Sequence, residues 1–236
     1  MKTILYVLLL IATISLSCKS GEKDNVDITT DKTERVSSLI FPEEVHFKSL
    51  RQITFGGDNA EAYWSFDDTQ IVFQSNNKKW NVSCDQMFLM NAEDTFDSIP
   101  PPMISTGKGR TTCAYFLPDN KHIIYASTHL SADECPEIPI RKEGKYVWPI
   151  YGAYDIFVTD LEGNIENQLT FENGYDAEPT VSPKGDKIVF TSTRNGDLDL
   201  YTMNLDGSNV KQITFELGYD GGAFFSPDGA KIIFRS

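Results

Sequence analysis

"ENGYDAEPTVSPKGDKIVFTSTRNGDLDLYTMNLDGSNVKQITF", Glu172–Phe215, reads as four short strands separated by three turns. "EPTVS" (Glu178–Ser182) is extended, and "PKGD" turns the chain, with Pro183 fixing φ and Gly185 allowing a positive one. "KIVFTS" (Lys187–Ser192) is a second strand, rich in β-branched and aromatic residues. "RNGD" turns again, "LDLYTMN" is a third strand, "LDGS" a third turn, and "VKQITF" a fourth strand. No helical periodicity interrupts the series. A four-stranded sheet with apolar residues on both faces must stack on neighbours of its own kind.

Those neighbours are present in the chain. "QLTF" (Gln168–Phe171) and "QITF" (Gln212–Phe215) place Thr170 and Thr214 44 positions apart. "ELGYDGGAFFSPDGAKIIFRS" (Glu216–Ser236) starts the unit again. Earlier copies begin at Gln52, "QITFGGDNAEAYWSFDDTQIVFQS", and at Met103, "MISTGKGRTTCAYFLPDNKHIIYAS". A period of about 40 to 50 residues with four strands per unit marks a β-propeller blade.

"SPDGAKIIFRS", "TSTRNGDLDLYTMNLDGSNVKQIT" and the recurring Tyr-Asp before the inner strand resemble the repeats of TolB-like β-propellers. The resemblance covers residues 46–236 and weakens in the first copy, where "SFDDTQ" (Ser65–Gln70) replaces the Pro-Asp-Gly turn. The expected fold is all-β: a TolB-like propeller with about three and a half of six four-stranded blades. The expected blades are 56–106, 107–171, 172–215 and a partial 216–236, with Leu50–Phe55 as an outer strand that completes the last blade. On this reading the chain is the N-terminal part of a longer protein.

Upstream, Lys2 and the apolar run Ile4–Ile14 lead through "ISLSCKS" to Cys18. This resembles a bacterial lipoprotein signal, with Ser15 where that pattern prefers Leu. It implies a signal peptide at 1–17, a lipidated Cys18, and a polar tether over 18–45. The expected location is the cell envelope, lipid-anchored at the outer membrane on its periplasmic or surface side. The formal net charge of −13 argues against nucleic acid and against an anionic membrane surface as partner.

Candidate site residues gather on one face. Ser105 to Thr170 spans 65 positions, and the excess falls in His129–Asp155, between the blade's second and third strands. Strand order puts this insertion on the face where innermost strands begin. Aligned there are Glu61, Cys113, Glu178 and Gly222, and two positions earlier Asn59, Thr111, Asp176 and Asp220. These are expected to ring the mouth of the central channel, and a carboxylate-rich ring can bind Ca²⁺ or a basic group. His129, Tyr146, Trp148, Tyr151 and Tyr154 complete the candidate binding face. Of the remaining cysteines, a Cys113–Cys135 bridge is expected to pin the insertion, with Cys84–Cys113 as the runner-up. Zinc held by Cys84, Cys113, Cys135 and His129 lacks a close Cys-x-x-Cys pair.

Neither a Gly-x-Ser-x-Gly elbow nor a His-Glu-x-x-His helix occurs, and "STGKGRTT" (Ser105–Thr112) has phosphate-loop residues in the wrong order. The expectation is therefore a non-catalytic binding module, monomeric when full length, that recognises a protein or envelope component. By resemblance, TolB docks a peptidoglycan-associated lipoprotein; the lipid anchor and insertion here depart from it. The alternative is the accessory propeller of a secreted peptidase, since similar propellers adjoin serine and zinc peptidase domains.

Overall fold

The computed structural model of the chain describes residues 39–138, 140 and 149–236. Residues 39–51, the described end of a first unit, hold turns only, with Phe41, Val45 and Phe47 exposed. Every strand lies in the second unit, Gln52–Ser236.

The strands follow the repeat. β1 (Asp58–Trp64), β2 (Gln70–Asn76) and β3 (Gln86–Asn91) form an antiparallel sheet, whose outer edge is a bridge between Phe88 and Met103. Next come β4 (Thr111–Phe116), β5 (His122–Ser127), β6 (Ala153–Asp160) and β7 (Ile165–Gln168), all antiparallel in chain order. A third blade repeats this with β8 (Gly174–Val181), β9 (Ile188–Ser192), β10 (Asp199–Met203) and β11 (Lys211–Gln212). The hairpin of β12 (Gly221–Phe225) and β13 (Ile232–Arg235) begins a fourth.

The inner hairpins share one closure. Ser65, Leu117, Ser182 and Ser226 donate their backbone N–H to the carbonyls of Gln70, His122, Lys187 and Lys231. The turn residue with positive φ is Asp68, Asn120, Gly185 or Gly229. The first copy therefore turns without Pro-Asp-Gly, because aspartate tolerates the left-handed region and Asp67 ties the loop to Ser65 and Thr69.

The outer "Q-x-T-F" segment is a clasp. Thr214 Oγ1 accepts the Leu200 N–H at 2.8 Å and donates to Asp199, while Gln212 Nε2 donates to Asp199 at 3.0 Å and to the Thr214 carbonyl at 2.9 Å. Thr170 and Gln168 grip Asp155 and Ile156 in the same way. In the first copy Gln52 Nε2 reaches the Thr54 carbonyl at 2.8 Å, but Thr54 makes only a single parallel bridge, to Phe96. Among the described residues of 50–55, Thr54 makes the one ladder contact, its bridge to Phe96.

The core lies between blades. Val72, Met87 and Leu89 of the first pack on Ile123, Tyr125 and Phe157 of the second. Ile124, Ile156 and Val158 pack on Ile188, Phe190 and Tyr201 of the third. Val189 and Leu200 meet Ala223, Phe225 and Ile232 of the fourth. Alternate residues of each second strand thus face the preceding and the following blade, as period-2 geometry requires.

Candidate functional site

Each innermost strand carries a β-bulge at the same place. Register shifts occur between Ala60 and Tyr63, Thr112 and Tyr115, Ala177 and Thr180, and Gly221 and Phe224. Glu61, Cys113, Glu178 and Gly222 occupy the bulges with φ of 49°, 52°, 57° and 59°. A bulge re-aims its side chain, and a non-glycine residue there stores roughly 1 kcal/mol or more of strain.

The four bulges converge on one cavity of about 320 Å³, whose walls include Tyr63, Tyr219, Phe224 and Arg235. Glu178 is its hub. The carboxylate accepts hydrogen bonds from Tyr175 Oη (3.0 Å), Tyr219 Oη (2.7 Å), Thr191 Oγ1 (3.1 Å) and the Gly222 N–H (2.6 Å). Glu61 accepts from Tyr63 Oη. Burial, then the charges of Glu61 and Glu178, push the Cys113 thiol well up, so it stays protonated. Arg235 lies 5.3 Å over the Tyr219 ring. Tyr63 and Phe224 of its wall meet each other and Tyr115 in tilted or edge-on contacts, with centroids 5.3–6.3 Å apart. The cavity is aromatic-walled and negatively charged at two corners.

The residues two positions earlier do not ring it. Thr111, Asp176 and Asp220 are buried. The bulge breaks the alternation of the strand, so these side chains are packed at blade junctions and not at the mouth. Thr111 bonds the Asp85 carbonyl of the preceding blade, and the Asp220 N–H bonds that of Leu198. Asp176 pairs with Arg194 at 3.0 Å, and Arg194 in turn covers the rings of Phe190 and Tyr201. Asn59 is exposed and borders a neighbouring hollow with Ile71 and Phe73. Among the described residues no group of three or more His, Cys, Asp or Glu is placed to hold a metal, so the Ca²⁺ ring has no ligand set there.

The disulfide also differs from expectation. Cys84 bonds Cys135, with Cα atoms 6.0 Å apart, and among the described residues Cys113 is free. Both expected pairings used Cys113, whose bulge turns it into the cavity; Cys84 and Cys135 lie in equivalent loops of adjacent blades. The zinc set loses two thiols to this bond.

The insertion stands on two feet. On one side are Cys135 and Asp133: Asp133 pairs with Lys108 at 3.0 Å, and its carbonyl accepts the Gly109 N–H. Gly109 must be glycine, because a Cβ would lie 2.7 Å from Thr128 Oγ1 and 2.8 Å from the His129 nitrogen. On the other side is Tyr151, whose hydroxyl accepts from Arg110 at 3.2 Å; Arg110 is also ion-paired to Asp85 of the preceding blade. Burial opposes the charge of Arg110, yet the bond and charge of Asp85 outweigh it and raise its pKa. Arg110 and Asp85 were not singled out from sequence, for no local motif marks a pair 25 positions apart.

Tyr154 is a core residue, packed on Tyr175, Ala126 and Ala177, and not an exposed anchor. An aromatic at the start of a third strand points between blades. His129 is half-buried, stacked 4.5 Å from the Phe157 ring and bonded to Ser127; burial and then Lys108 lower its pKa. Tyr146, Trp148 and Cys18 lie outside the described residues.

Residues 147–236 match the family described as the TolB beta propeller domain. No curated protein matches the chain in sequence. Among solved structures, a putative TolB from Agrobacterium tumefaciens is 20% identical, with a TM-score of 0.58 over 79% of this chain and 58% of that one. TolB from Acinetobacter baumannii is 21% identical, with a TM-score of 0.55 over 75% and 37%. A chain of a nidogen/laminin complex is 11% identical, with a TM-score of 0.54 over 76% and 57%. The chain thus spans less than two thirds of the length of each. At these identities the likeness is one of fold: an open array of TolB-like propeller blades.

Proposed function

We propose that this TolB-like propeller is the recognition module of a lipid-anchored cell-envelope protein, acting by binding and not by catalysis. The partner is a protein that docks on the face carrying the insertion and the bulge cavity. The observation that carries this is the footing of the insertion: a disulfide and a half-buried arginine hold its two ends to the junction of two blades. Fixed ends lower the ordering cost of binding.

The same face is rich in exposed apolar side chains. Leu130, Ile138, Ile140 and Ile150 belong to the insertion, and Phe171, Phe215 and Leu217 to the connections that enter innermost strands. Leu217 is 95% exposed. Apolar anchors around a cavity that sets Glu61 and Glu178 against Arg235 suit a protein surface with a basic residue at its centre.

The test removes residues 137–149 while keeping Cys135 and Tyr151, and sets this beside Lys184→Ala and Asp186→Ala on the Pro183–Asp186 turn of the opposite face. Partners captured from envelope extracts by the wild type should be lost by the deletion and kept by both substitutions. Retention by the deletion with loss by the substitutions assigns binding to the other face. The anchor is tested separately: Cys18→Ala should release the protein from alkaline-washed membranes, and a variant that stays bound refutes lipidation.

A further inference from the structure

The Cys84–Cys135 bond joins two loops that are held very differently. Cys84 ends the loop that follows β2. There Trp80 packs 5.2 Å from the Phe88 ring and donates its indole N–H to the Asp97 carbonyl at 2.6 Å. Cys135 belongs to the insertion leg 130–138, which is exposed on both sides of Cys135 and Pro136. Among the described residues, the leg is otherwise fixed by the N–H groups of Ser131 and Ala132, which donate to the Thr128 carbonyl at 2.9 and 3.4 Å, and by Asp133. That residue makes a solvent-exposed pair with Lys108 and accepts one backbone bond from Gly109. An exposed ion pair is weak and salt-screened.

We propose that the Cys84–Cys135 bond is a redox latch on the insertion face, closed in the oxidised protein and opened by a dithiol reductant. This rests on the reading of that face as the docking surface. Cys84 is 4% exposed and Cys135 is half-buried, so a reductant thiolate reaches the Cys135 sulfur. Attack there forms a mixed disulfide with Cys135, and Cys84 leaves as a thiolate that takes up a proton. The second thiol of the reductant loses its proton and attacks the first, which forms the reductant's internal disulfide and releases Cys135 as a thiol. Two electrons and two protons pass to the protein.

Two features make the opening local and reversible. Trp80 keeps its own contacts when the bond is cut, so the freed element is the leg and not the loop of the first blade. Cys113, the third thiol, is held protonated in the cavity and is a poor competitor, because exchange requires a thiolate. Reoxidation therefore returns to one pairing.

The experiment is amide hydrogen exchange on the intact protein: oxidised, reduced with dithiothreitol, and reoxidised. Reduction should speed exchange at Gly109, Ser131 and Ala132 at least tenfold. β9, β10 and the Trp80 loop should stay protected over labelling times of seconds to minutes. Reoxidation should restore the slow rates, Cys135→Ser should match the reduced state without reductant, and Cys113→Ser should behave as wild type. Unchanged exchange on reduction, or loss of protection in β9 and β10 in step with the leg, overturns the latch. Partner capture separates the two readings. A leg that loosens without loss of partners supports the latch and removes the face from docking. A deletion that loses partners while reduction leaves the leg protected supports the face and removes the latch.

Discussion

The first blade and the last hairpin each turn a set of apolar repeat positions away from the rest of the array, and the two are treated differently. On the first blade, Ile71, Phe73, Phe88 and Met90 occupy the side that in later blades packs on a preceding neighbour. Trp80 and Val82 from the loop after β2, with Ile53, Phe96 and Met103, close over them, leaving Phe73 only 3% exposed. On the last hairpin, Ile233 points to the side that earlier blades bury against a following neighbour, and it is 72% exposed. Among the described residues, the loops of the first blade cover its flank, and none covers that of the β12–β13 hairpin. A propeller blade is thus not a fixed module: its connections decide whether its flank can stand in water.

The comparison breaks most decisively at Trp80. Trp80→Ala removes the lid of that flank and should destabilise the protein by about 3–5 kcal/mol, read as a lowered urea midpoint. A shift below about 1 kcal/mol, within the ordinary spread for substitutions, means the flank is not sealed by the indole. A smaller effect sharpens the contrast between paired and solitary clasps. Thr214→Val leaves the Leu200 N–H without its acceptor and should cost about 1–3 kcal/mol, whereas Thr54→Val, with no carboxylate bonded to it among the described residues, should cost a few tenths. Equal losses would show that the first clasp is also engaged.

Tyr125 tests the sealed junction between the first two blades. Among the described residues its hydroxyl is buried without a partner, and burial pushes its pKa up to about 12. Tyr125→Phe should be neutral or stabilising by up to about 1 kcal/mol; a clear loss in thermal melts shows that the hydroxyl is satisfied in solution.

The stacking of strands was legible because it rests on periodicity and turn chemistry, both local. The alignment that brought Glu61, Cys113, Glu178 and Gly222 together was legible for the same reason, and the structure places all four on one cavity. What sequence could not show is direction. The bulge turns residue 113 inward and leaves residues 111, 176 and 220 between blades, although all lie near the same strand ends. Cysteine pairing depends on that turn, since three thiols on one face can be joined in several ways. The Tyr-Asp repeat did carry an unread signal: Tyr175 and Tyr219 recur because both phenols bind Glu178.

The bulges also bear on how such a chain can change over generations. The hydrogen-bond ladder of each innermost strand is set by the residues flanking the left-handed position, while the residue in that position faces the cavity and takes little part in the ladder. Glutamate, cysteine and glycine already share this place in successive blades. A lineage can therefore rewrite the chemistry of the cavity one blade at a time, by single substitutions at these bulges, with the loss of whatever bonds the resident makes, as Glu178 makes to Tyr175, Tyr219, Thr191 and Gly222.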